Sequence, residues 1–148
     1  MQMLNFPTYA FRYKIKENKR WVFDGIRKKF VVLTPEEWVR QNAVQFLMRE
    51  KKYPQSLVNV EKQIRLGDLA KRYDLVVFNP DGTLFLLGEC KATSIPLTQD
   101  VFDQLARYNQ ALNAEFLWIT NGLRHLCFQV DKVSEKYILI PEIPEYIR

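Results

Sequence analysis

Hydrophobic and polar positions alternate along some stretches of the chain and recur at helical spacing along others, and together they set an order of elements. Residues 11 to 33 place β-formers on either side of a polar break at Glu17-Asn18-Lys19, with a second turn signal at Asp24-Gly25, and predict a β-hairpin or short meander. A helix start follows: Thr34 as N-cap, Pro35 at the first helical position and Glu37 three residues after the cap. Val39, Ala43, Phe46 and Leu47 then recur at helical spacing, which carries the helix to about Lys51, before Tyr53-Pro54 stops it. A strand is expected from about Leu57 to Leu66, a turn at Gly67-Asp68, and a short stretch before Arg72. Tyr73 to Asn79 and Thr83 to Lys91 flank the strong turn Asn79-Pro80-Asp81-Gly82 and predict an antiparallel pair. Leu84, Phe85, Leu86 and Leu87 put apolar side chains on both faces, as in a strand covered on both sides. Phe102, Leu105, Ala106, Asn109 and Leu112 form one stripe of a helix over 99–112. Glu115 to Thr120 and His125 to Val130 read as two further strands joined at Asn121-Gly122, and the tail with Pro141 and Pro144 as a short strand and an irregular end.

The order describes a mixed sheet with helices on its faces. At 148 residues, with 47% hydrophobic and 26% charged positions, the chain suits one folded domain over 1–148 with a real core. No apolar run approaches the ~20 residues of a membrane helix. The N-terminus lacks the basic and apolar regions of a secretory signal, so a cytoplasmic location is expected. Cys90, Cys127 and His125 are too few for a structural zinc site, and five glycines form neither a phosphate loop nor a dinucleotide-binding turn.

Net charge is +5, and the excess lies in one segment. Between Arg12 and Lys29 stand eight basic residues, including Lys14, Lys16, Arg27, Lys28 and Lys29, against Glu17 and Asp24. With Tyr13, Trp21, Phe23 and Phe30 interleaved, that composition suits a phosphate backbone. It equally suits a solvated hairpin whose lysines protect an edge strand.

One constellation carries chemistry. Glu89 and Lys91 alternate onto one face of their strand while Cys90 points the other way, and a hairpin brings Asp74 beside them. Two carboxylates and an ammonium then converge at one sheet end. Such oxygen ligands suit Mg²⁺, and hydrolysis of a phosphodiester is the natural reaction class. The acid-x-Lys pattern occurs three times, but only Glu89-Cys90-Lys91 closes an apolar strand and has an Asp at the start of its partner. A structural salt bridge at a sheet end is the alternative.

Asp74 and Glu89-x-Lys91, set between two helices, resemble the PD-(D/E)XK nuclease superfamily. The strings Asp24-Gly25-Ile26-Arg27-Lys28-Lys29, Thr34 to Gln41, Asp103 to Asn109 and Thr120-Asn121-Gly122 are similar to the N-terminal nuclease domain of type I restriction enzyme R subunits, over roughly 11–130. The resemblance implies an α/β (α+β) restriction-endonuclease-like core: a central mixed β-sheet flanked by helices, with an N-terminal β-hairpin. It implies Mg²⁺-dependent cutting of DNA, with Mn²⁺ able to substitute. Asp74, Glu89 and the Cys90 backbone carbonyl would be metal ligands, and Lys91 would position or activate water. Gln104-x-x-x-Tyr108 would help organise the site and DNA, although Tyr108 reads equally as a packing residue. Glu37 is either a catalytic carboxylate or only a helix cap, and Glu61 a further acidic candidate that reads first as an exposed-face residue. Lys14, Lys16, Arg27, Lys28, Lys29 and Arg40 are the DNA-binding candidates. The R subunits continue into an ATP-driven translocase, whose phosphate loop this chain lacks, so a separate motor or specificity subunit is an expected partner beside DNA. One such site cuts one strand, so double-strand cleavage requires a homodimer or two binding events. The alternative function is a non-catalytic DNA-binding or assembly module of a restriction or repair complex.

Overall fold

The computed structural model describes residues 1–147. Its strands are β1 (Tyr13–Lys16), β2 (Lys19–Asp24), β3 (Lys29–Val32), β4 (Val58–Leu66), β5 (Leu69–Phe78), β6 (Leu84–Cys90), β7 (Phe116–Thr120), β8 (His125–Asp131) and β9 (Lys136–Ile140). Helix α1 (Pro35–Arg49) follows β3 and helix α2 (Gln99–Leu112) follows β6. The expected hairpin region is a three-stranded antiparallel sheet, β1-β2-β3. The central sheet runs β4-β5-β6-β7-β8-β9 and is antiparallel except for β6 and β7, whose parallel pairing needs the crossover that α2 supplies.

Burial on both faces of the sheet explains the continuous apolar run in β6. Leu86 belongs to the core under α1, with Val39, Ala43, Leu47, Val77 and Trp118. Leu87 belongs to the core under α2, with Leu105, Val76, Leu117 and Ile119.

One boundary differs from the sequence expectation. The stretch before Arg72 and the strand after it are one ten-residue strand, β5, because Gly67, at φ +58, closes a tight turn that lets Leu66 pair with Leu69. The tail forms the expected short strand, β9, at the sheet edge, followed by an irregular end.

The first ten residues, which the hydrophobic pattern leaves unassigned, are docked. The Asn5 amide donates to the Gly122 carbonyl at 2.6 Å, and Leu4 fills the space where a side chain at Gly122, φ +86, would stand. Phe6 packs on Phe46, Trp118 and His125. The Asn5 carbonyl can only accept, so His125 Nε2 donates to it at 2.8 Å, and Nδ1 of the neutral ring accepts the Thr120 hydroxyl at 2.7 Å.

Burial lowers the His125 pKa, and the Asn5 bond opposes this only in part. The unfolded chain therefore takes up this proton first, so the His125 contribution is complete above about pH 6.5 and is lost as pH falls toward the folded-state value. Thermal unfolding above and below that pH should show the native chain losing more stability on acidification than His125→Gln; parallel losses would contradict the assignment.

Candidate active site

The site starts on the first turn of α1. Thr34 Oγ1 accepts the Glu37 amide at 3.0 Å, so the cap forms as expected. The reciprocal half of a capping box does not form, because the Thr34 amide donates to the Val32 carbonyl and the Glu37 carboxylate turns inward. It accepts from Arg40 Nη1 at 2.7 Å, Arg27 Nη2 at 2.8 Å and Gln41 Nε2 at 3.1 Å. Arg27 in turn pairs with the buried Asp24, which ties the three-stranded sheet to α1.

Arg40 is the hub of this network. It is 5% exposed, and its Nη2 reaches Glu36 at 2.7 Å, Glu61 at 2.9 Å and Asp74 at 3.0 Å. Burial works against its charge, but Glu37 and Asp74 outweigh that cost and raise its pKa. This corrects the expectation that Arg40 meets DNA: a buried guanidinium faced by four carboxylates presents nothing to a phosphate. Arg27 is likewise half-buried and paired, whereas Lys14, Lys16, Lys28 and Lys29 are exposed.

Asp74 occupies a notch between two strands. The β5–β6 ladder runs through Val76↔Leu87 to Leu75↔Gly88 and stops, while β6 stays paired with β7 through Cys90↔Thr120. Gly88 allows the closeness there, since a Cβ on it would lie 3.0 Å from Leu75 Cβ. Beyond that last pair, one residue along β5 and two along β6, the Cys90 amide donates to Asp74 Oδ2 at 2.9 Å. On the other side of β5, Glu61 stands at φ +51 and the ladder omits the Glu61/Asp74 pair. Both strands change face there. Leu75 and Val60 belong to the core under α1, but Tyr73 and Ile64 to the one under α2. A regular strand would keep Tyr73 and Leu75 on one face. The irregularity frees Asp74 to reach Arg40.

Glu89 and Lys91 come together as expected. Lys91 Nζ lies 3.3 Å from Glu89 Oε1, and the side chains of Asp74, Glu89 and Lys91 are 15%, 22% and 29% exposed. Burial raises the Glu89 pKa, Asp74 adds to that rise, and Lys91 opposes it. Among the described residues no group of three or more His, Cys, Asp or Glu side chains is placed to cage a metal. The donor set is two hard carboxylates that repel each other, which fits Mg²⁺, an ion that takes one or two carboxylates and keeps waters. The Cys90 thiol lies in the core under α1, so only its backbone carbonyl could join.

On α2, Gln104 is exposed and hydrogen-bonds to none of Asp74, Glu89 and Lys91. Tyr108 is half-buried and meets Tyr73 edge-on at 6.3 Å. Sequence reasoning missed Glu36 and ranked Glu61 as a surface residue. The Glu36/Arg40 and Glu37/Arg40 spacings, i,i+4 and i,i+3, were the available signal for the hub.

Residues 35–144 match the model of the type I restriction enzyme R protein N-terminus family. No curated protein matches the chain. Among solved structures, a fragment of an HsdR subunit of a type I restriction enzyme from Vibrio vulnificus YJ016 superposes with a TM-score of 0.52 at 19% identity. The match covers 76% of this chain and 24% of that one, so the chain spans about a quarter of its length, and the likeness is one of fold.

Removing a buried cation strands its partners, at a cost of about 3–5 kcal/mol for a broken buried pair. Arg40→Met should lower the stability measured by denaturant unfolding by that amount, and adding Glu37→Gln should restore part of it. An Arg40→Met chain as stable as the native one would contradict the hub.

Proposed function

The chain belongs to the type I restriction enzyme R protein N-terminus family, and from that premise we propose that it is a metal-dependent deoxyribonuclease domain, endonucleolytic in mode, that hydrolyses phosphodiesters of DNA. The observation that carries this reading is the Lys91–Glu89 ion pair at the end of β6, with Asp74 of β5 near enough to raise the Glu89 pKa and itself held by Arg40 and the Cys90 amide.

Asp74 and Glu89, with the Cys90 carbonyl, would hold Mg²⁺ or, in its place, Mn²⁺. When bound, that ion acidifies water and neutralises charge on a phosphodiester. The chain's own groups do the rest. Arg40 and the Cys90 amide fix the orientation of the Asp74 carboxylate, so little reorganisation remains when substrate arrives. Lys91, half-buried beside Glu89, orients the attacking water and offsets the negative charge that grows on the phosphoryl oxygens. The water oxygen bonds to phosphorus as the bond to the leaving sugar oxygen breaks, and that oxygen departs with a proton. Glu37 acts through Arg40 as a positioning residue, one network partner away from Asp74. Gln104, exposed on the same helix as Tyr108, would meet DNA rather than the carboxylates. DNA and a separate motor or specificity subunit are the proposed partners, and a double-strand break would take a homodimer or two binding events.

A second reading rests on the exposed Lys14, Lys16, Lys28 and Lys29 of the three-stranded sheet. They would serve a DNA-binding or assembly module with no chemistry of its own.

Supercoiled plasmid, linear duplex and single-stranded DNA with Mg²⁺ or Mn²⁺ decide between the two. Metal-dependent cutting should fall by about 10²–10³ in Asp74→Ala and in Lys91→Ala, while Lys91→Ala still binds DNA. Cutting retained in Lys91→Ala would sink the mechanism, and neither cutting nor metal binding by the native chain would favour the binding module.

A further inference from the structure

Lys71 lies on β5, paired in register with Ile64 of β4, and is half-buried. Its Nζ stands 4.2 Å from the centroid of the Tyr108 ring and 5.5 Å from that of Tyr73. Those rings meet edge-on, so the ammonium lies against two aromatic surfaces at once. Among the described residues no carboxylate oxygen lies within ion-pair distance of it. It is nevertheless near enough to Glu89 to lower that group's pKa.

This sets Lys71 apart from the other cations of the site. Arg40 is consumed by four carboxylates, and Lys91 already has a carboxylate partner in Glu89. Arg72 is largely exposed and lies 3.9 Å from Glu61. An ammonium seated on ring faces keeps its full charge while losing side-chain freedom before any ligand arrives, which is preorganisation for an anion. A backbone phosphate approaching two carboxylates needs such a cation beside them.

We propose that Lys71 contacts a DNA backbone phosphate next to Glu89, and that Tyr108 and Tyr73 are positioning residues holding its ammonium there. The assignment rests on the reading of the site as one that takes DNA. It gives Tyr108 a physical task, as a ring under a cation, without any contact to the reacting atoms.

The test is affinity for a duplex oligonucleotide, read by fluorescence anisotropy across a KCl series, with Ca²⁺ replacing Mg²⁺ and Lys91→Ala in every chain so that no strand is cut. Losing one phosphate contact should reduce the slope of log K against log salt by about 0.9. Lys71→Gln should show that loss, Lys71→Arg should keep the slope, Tyr108→Phe should keep it because the ring remains, and Tyr108→Leu should reduce it. A slope unchanged in Lys71→Gln, or no binding to DNA at all, overturns the assignment. Plasmid cleavage by the chain with Lys91 intact separates the two readings. Cutting with an unchanged slope removes Lys71 and leaves the nuclease. A lost slope without cutting leaves Lys71 as a phosphate contact and removes the nuclease.

Discussion

The structure turns on one buried guanidinium. Arg40 is out of water, and an isolated charge there is costly unless ion pairs and hydrogen bonds replace its hydration. Glu36 and Glu37 from α1, Glu61 from β4 and Asp74 from β5 provide them, and Arg27 extends the network through Glu37 to Asp24 of the three-stranded sheet. Helix, central sheet and small sheet are therefore joined by charge as well as by apolar packing. The same arrangement fixes Asp74, since a carboxylate bound on one oxygen by Arg40 and on the other by the Cys90 amide has little freedom left.

Where the site sits follows from which strands keep their partners. β6 remains in the sheet to its last residue because β7 pairs with it in parallel through Cys90. β5 loses β6 after Leu75, and at the same level its other neighbour, β4, is interrupted at Glu61. The left-handed backbone at Glu61 is a conformation a non-glycine residue adopts at a cost, and such strain concentrates where a site needs a side chain re-aimed. The result is a pair of carboxylates at one sheet end, with Arg40 of α1 on Asp74, Lys91 on Glu89, and Lys71 against Tyr108 of α2.

Much of this was legible in the chain. The alternating and helical patterns gave both helices and the order of the strands, and the capped start of α1 is visible in Thr34-Pro35. The Glu89–Lys91 contact followed from strand alternation, and the closeness of Asp74 to Glu89 from one hairpin. Three features were not legible, each for a physical reason. Arg40 reads as a surface cation because burial of an arginine depends on carboxylates brought from distant strands. The face change at Glu61 and Asp74 breaks the two-residue period on which the reading rests. Lys71 sits beyond that break, so its approach to Tyr108 depends on how α2 packs, which no local pattern encodes.

The central proposal is that Asp74 and Glu89 would hold one divalent cation, with the Arg40 network orienting Asp74. Calorimetric titration of Mn²⁺ into the native chain, Asp74→Asn and Glu89→Gln tests it most directly. The account predicts binding that each substitution abolishes, with proton release in the native chain on the acid side, where the raised Glu89 carboxyl still holds its proton. Equal Mn²⁺ affinity in all three chains would contradict it.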